Sequence, residues 1–114
     1  MAACWGSNVV SVFLNTGSGA LAPKVDYTAA AAPHSLVLRD FDGDGDLDIA
    51  VSDYAGATVG VLMNTGDGAF APPVIFPVGS SPRELIVADI DGDGDIDIAT
   101  NVRAPMRAAF LLNN

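Results

Sequence analysis

The chain contains the nonapeptide Asp40-Phe41-Asp42-Gly43-Asp44-Gly45-Asp46-Leu47-Asp48. Forty-nine residues later it contains Asp89-Ile90-Asp91-Gly92-Asp93-Gly94-Asp95-Ile96-Asp97. Ten of the fourteen acidic residues fall in these two stretches, and neither includes a Lys or Arg. Five carboxylates within nine residues repel one another, so a compact fold that keeps these loops ordered calls for cations. Oxygen-only ligands at alternate positions suit a hard divalent ion, and calcium comes first because it accepts six to eight oxygens in a flexible shell.

The spacing predicts one ion per loop. Asp40, Asp42 and Asp44 occupy loop positions one, three and five, and Gly45 allows the bend that lets later ligands converge. Asp46 would offer its main-chain carbonyl and Asp48 a returning carboxylate. Asp89, Asp91, Asp93, Gly94, Asp95 and Asp97 repeat the set. An EF-hand loop begins in this way but needs a bidentate Glu at position twelve and helices on both sides. Here position twelve is Val51 in one copy and Thr100 in the other. The flanks Leu36-Val37-Leu38 and Ile49-Ala50-Val51 read as strands, so each loop closes at its ninth residue and bridges two strands. A metal-free Asp-Gly hairpin turn is the plainer alternative. Such a turn needs one or two of these residues and would not place Asp at every other position twice.

The acidic loops belong to a longer repeat. At a shift of 49, Asn15-Thr16-Gly17-Ser18-Gly19-Ala20 falls on Asn64-Thr65-Gly66-Asp67-Gly68-Ala69, Ala22-Pro23 on Ala71-Pro72, Pro33 on Pro82 and Leu36 on Leu85. Each period reads as four short strands: Leu36 to Arg39, Ile49 to Asp53, Thr58 to Asn64, and Val74 to Phe76. Glycines in the Asn64 to Gly68 turn suit a tight connection. Pro72, Pro73 and Pro77 crowd the fourth strand, which places it at a sheet edge. No helical periodicity is found; the Ala29 to Ala32 run is stopped by Pro33.

A four-stranded unit of this length has the size of a β-propeller blade. The predicted fold class is therefore all-β, with about ten strands or two and a half blades. Residues 1–35 supply strands two to four of one blade. Residues 36–84 form a complete blade with loop 40–48, and residues 85–114 a partial one with loop 89–97. A ring normally takes at least four blades. Three expectations follow: a piece of a larger propeller, a ring closed by assembly with copies of itself, or an open stack. The phase at the two ends favours the first.

Composition removes several function classes. A formal charge of −9 leaves nothing to neutralise phosphates, which argues against a nucleic-acid partner. Two divalent ions would bring that charge to −5. No apolar run reaches the length of a membrane span, and no leader with a long apolar stretch is read at the N-terminus. Cys4 is the sole cysteine, so no disulfide forms within the chain, and it reads as a small apolar residue.

The loop Asp-x-Asp-Gly-Asp-Gly-x-x-Asp between strands, with Asn-Thr-Gly-x-Gly-Ala-(Leu/Phe)-Ala-Pro in each period, resembles the VCBS and FG-GAP repeats, the blades of integrin-alpha-type β-propellers. The resemblance runs from about Ser7 to Asn113. It implies calcium in the loop between the first two strands of a blade. The matching ligands are Asp40, Asp42, Asp44, Asp46 by its carbonyl and Asp48, with Asp89, Asp91, Asp93, Asp95 and Asp97 in the second copy. It also implies an extracellular or cell-surface setting and a role in adhesion or ligand binding, with a protein or glycan partner. Family propellers are usually seven-bladed, a number this chain does not reach.

No catalytic constellation emerges, and the chain is read as a non-enzyme. His34 is the only histidine, and Arg83 takes its place in the next copy. Trp5 and Tyr54 are equivalent positions, better suited to packing between blades than to stacking a sugar. Two function classes stand side by side: a calcium-stabilised adhesion or recognition module, and the non-catalytic propeller portion of a secreted polysaccharide-active enzyme. A self-assembling, lectin-like ring is the third.

Overall fold

The computed structural model describes residues 2–4, 8–15, 17, 19–28, 31–66, 68–102 and 107–113, with side chains from residue 8 to 102 and from 108 onward. Ten strands occur among them: β1 (Ala2–Cys4), β2 (Val9–Val12), β3 (Val25–Thr28), β4 (Pro33–Arg39), β5 (Asp48–Asp53), β6 (Thr58–Leu62), β7 (Val74–Pro77), β8 (Leu85–Ala88), β9 (Asp97–Val102) and β10 (Arg107–Leu111). The described residues include no helix, and none is therefore long and apolar enough to cross a membrane. The strands form three antiparallel meanders, β1-β2-β3, β4-β5-β6-β7 and β8-β9-β10. The protein is all-β, built as one four-stranded blade between two three-stranded partial blades. Trp5 and the side chain of Cys4 lie outside the described residues.

Strand boundaries depart slightly from the sequence reading. The first strand of the middle sheet begins at Pro33 instead of Leu36, with a register irregularity between those residues. The third ends at Leu62, short of Asn64, because the Asn64 N–H donates to the Asp48 side chain and so leaves the ladder. Asn64 instead forms an isolated bridge with Phe70 across the turn, as Asn15 does with Leu21.

Alternation along the strands decides how the sheets stack. Successive side chains of a strand point to opposite faces. In β5, Ile49 and Val51 join Val10, Val12 and Leu62 in the core between the first and second sheets. Ala50, between them in sequence, joins Phe41, Val59, Val61, Val78, Leu85, Ile98 and Val102 between the second and third. The middle sheet is thus covered on both faces. This explains why all six residues of β5 are buried and why its centre, Ile49-Ala50-Val51, is apolar on both faces. Val10, Ile49, Val51, Val59 and Leu62 are among the largest fully buried side chains, each stabilising the fold by about 1.5–3 kcal/mol.

The two interfaces are copies of each other. Val10 and Val12 face the second sheet from the first, and their equivalents Val59 and Val61 face the third from the second. Ile49, Leu36 and Leu38 pack backward onto the first sheet, as Ile98, Leu85 and Val87 do onto the second. A residue and its partner 49 positions on point in the same direction along the stack.

The proline-flanked fourth strand is an edge, as the sequence predicts. β7 pairs only with β6, and all four of its residues are exposed. β3 occupies the same place in the first sheet.

One anchor has no counterpart in the other repeats. The Asp53 carboxylate, at the end of β5, accepts from the N–H groups of Ala31 (2.8 Å), Ala32 (3.0 Å) and Gly56 (2.8 Å). Burial pushes this carboxyl up, and the amides of Ala31, Gly56, Ala32 and Ala55 more than reverse that, leaving it below the ordinary value. Its contribution is present above the unfolded value and is lost as pH falls through the depressed folded one. A Cβ added to Gly56 would collide with Asp53 Oδ2. Gly56→Ala is expected to displace the carboxylate and cost about 1–2 kcal/mol through the stripped amides. Urea unfolding checks this. Asp53→Ala should absorb most of the effect, so the double variant should be little worse than either single one.

Candidate metal centre

Each acidic loop leaves the first strand of its sheet and returns as the second, β4 to β5 and β8 to β9. Gly43 and Gly45 have φ of 78° and 92°, and Gly92 and Gly94 have 80° and 94°. A Cβ at these four positions would meet nothing within 4 Å. Glycine is thus required by the left-handed backbone and not by lack of space.

The turns bring the backbone amides onto the first carboxylate. Asp40 Oδ1 accepts from Gly43 N–H (2.7 Å) and Asp44 N–H (3.2 Å), and Oδ2 from Gly45 N–H (2.8 Å). Asp89 repeats this with Gly92, Asp93 and Gly94. Carboxylate repulsion in the loops is therefore answered in part by main-chain dipoles, a compensation that side-chain counting leaves out. The Gly45 amide foremost holds Asp40 below the ordinary carboxylate value.

Asp48 and Asp97 differ from the other loop acids because they are fully buried. Asp48 Oδ2 accepts from Phe41 N–H (2.9 Å) and Oδ1 from Asn64 N–H (2.8 Å). Asp97 accepts from Ile90 N–H (2.8 Å) and Asn113 N–H (2.7 Å) at the equivalent positions. Each carboxylate ties the start of its loop to the second residue after the third strand. Chiefly through the Asn113 amide, Asp97 titrates below the ordinary value.

Three carboxylates of each loop converge. One oxygen from each of Asp40, Asp42 and Asp48 lies within 4.8 Å of the others, and Asp89, Asp91 and Asp97 do the same. Asp44 and Asp93 stand outside these triads; their Oδ1 atoms accept from Asp46 N–H and Asp95 N–H at 2.9 Å. The side chains of Asp46 and Asp95 are not in the triads either. The donor set is all oxygen, and the three oxygens lie close enough together to share one hard cation.

Asp42 and Asp91 are pushed above the ordinary value, first by desolvation and further by neighbouring carboxylates, Asp44 and Asp48 in one loop and Asp93 and Asp97 in the other. A proton and a cation then compete for these two groups. If the triads hold a divalent ion, its affinity is expected to be flat near neutrality and to begin falling at a pH above the ordinary aspartate value near 3.9. Titration calorimetry at several pH values measures it.

The remaining candidates lie elsewhere. His34 stacks on Tyr54 with ring centroids 6.1 Å apart, and the Arg83 guanidinium sits 5.5 Å from the centre of the same ring. Tyr54 therefore packs between a residue of β4 and one in the segment before β8, while its equivalent Trp5 lies outside the described residues.

A family model of the FG-GAP-like repeat matches residues 2–51 and again residues 40–100. Comparison with curated proteins and with solved structures gives no match. Both matched spans end at equivalent positions, Val51 and Thr100, just past an acidic loop. They cover most of the chain with the period that the strands and interfaces also show, and the chain belongs to the FG-GAP-like repeat family.

Proposed function

We propose that this β-propeller-like repeat module binds two calcium ions, one per acidic loop, and uses them structurally to hold its blades for extracellular adhesion or ligand recognition. The observation that supports this is the recurrence of the same carboxylate triad at the same register in both repeats. Asp40, Asp42 and Asp48 would hold one ion, and Asp89, Asp91 and Asp97 the other. Asp44 and Asp93, with the carbonyls of Asp46 and Asp95, would complete the shells. Bound, the ion supplies positive charge that cancels carboxylate repulsion. The chain's own part is to pin each loop to the strand after it through Asp48 and Asp97.

Extracellular modules bind calcium with dissociation constants of roughly 0.1–1 mM, matched to the calcium outside cells. The role is non-catalytic, and the partner is a protein or glycan. Calorimetry with millimolar calcium is expected to return two ions per chain for the native sequence and none for the Asp42→Ala, Asp91→Ala double variant. A stoichiometry of two in the double variant would sink the ligand assignment.

A further inference from the structure

We infer that the two loops bind their ions as a coupled pair and that Asn113 is the coupling residue. This rests on the calcium reading above and adds to it that neither site is independent. Asn113 follows β10, at the far end of the third sheet. Its main-chain N–H donates to Asp97 Oδ1 (2.7 Å), a proposed ligand of the second loop. Its side-chain Nδ2 donates to the Ile96 carbonyl (3.3 Å) and also to the Phe41 carbonyl (2.5 Å), 72 residues away in the first loop. Phe41 stands between the ligands Asp40 and Asp42, and its own N–H donates to Asp48 Oδ2. One residue therefore joins a carboxylate of one triad to the peptide that carries another.

The repeat shows which part of this role is local. Asn64 is the equivalent of Asn113: its N–H holds Asp48 Oδ1 and its Nδ2 donates to the Leu47 carbonyl (3.1 Å). The local duty of this asparagine is shared by both units, and Asn113 in addition bridges two loops.

The bridge gives the two loops a common ordering step. With Asp97 fixed, the Asn113 backbone is fixed, and its side chain then holds the peptide between Asp40 and Asp42. Order gained when one loop is filled does not have to be gained again by the other, which is positive coupling. By linkage each loop must raise the affinity of the other by the same factor. Phe41 is itself buried in the core between the second and third sheets, so the bridged peptide rests on packed side chains.

Calcium titration calorimetry on four chains tests this: native, Asp91→Ala, Asn113→Ala and the double variant. The native chain is expected to bind two ions with a Hill coefficient above unity. Asp91→Ala should leave the first loop about fivefold weaker than it is in the doubly filled native chain. Asn113→Ala should still bind two ions, with the Hill coefficient at unity, and adding Asp91→Ala to it should leave the first loop unchanged. Asn64→Ala should keep the cooperativity. If Asn113→Ala does not fold, Asn113→Ser, with a shorter donor, takes its place. Two ions bound independently by the native chain would overturn the coupling and leave the calcium assignment standing. No ion bound at 10 mM calcium would overturn both.

Discussion

Stripping calcium with EDTA is expected to lower the thermal midpoint by about 20 °C. An ion present at a hundred times its dissociation constant stabilises the native state by about 2.7 kcal/mol per site, so two sites contribute about 5 kcal/mol before any coupling between them. Small domains have total stabilities of about 5–15 kcal/mol, which makes this the largest single contribution open to experiment. For a chain of this length each kcal/mol moves the midpoint by roughly 4 °C. Differential scanning calorimetry with and without chelator measures the shift. A midpoint that does not move would remove the structural role assigned to the ions. Magnesium at equal concentration should restore less, because it demands six near-ideal ligands and releases its water reluctantly.

The second large effect is expected without any ion. Asp48→Ala, measured in EDTA, should lose about 2–4 kcal/mol, because the buried N–H of Phe41 and the half-buried N–H of Asn64 lose their acceptor, at about 1–3 kcal/mol each. Urea unfolding with an unchanged m-value would report it as lost stability. Asp44→Ala in the same buffer should change little, since the backbone amide its side chain holds, that of Asp46, is exposed. In calcium both variants should weaken the first site. Comparison of the two buffers therefore separates the carboxylate that builds the loop from the one that serves only the ion. Equal losses for both variants in EDTA would show that Asp48 has no separate structural role.

Much of this was legible in the chain because the repeat states each instruction twice. Strand order, the exposed fourth strand and the acidic loops all follow from residues that recur at a fixed shift or alternate in period two. What was not legible depends on contacts that do not repeat or that cross between units. Asp53 anchors the linker ahead of β4 and the turn after β5, yet its equivalents are Cys4 and Val102, so the pattern offers no signal for it. Asn113 looks like one member of a repeated Asn, and only the stacking of the sheets shows that its side chain reaches Phe41. Spacing names four carboxylates and one carbonyl per loop and does not rank the carboxylates. The structure divides them, since burial and strand pairing hold Asp48 in place while Asp44 turns its carboxylate onto the adjacent peptide. The third strand ends early for the same reason, because a side chain takes the amide that ladder pairing would have used.

The shared direction of equivalent side chains has an evolutionary consequence. A tandem copy of any 49-residue window would present, at both of its new junctions, surfaces already shaped for each other, because every internal junction is the same one. Unequal crossing-over within the gene could therefore lengthen or shorten the array without any compensating change in packing. Residues such as Asp53, which occur once, mark where such an array has begun to give its members individual character.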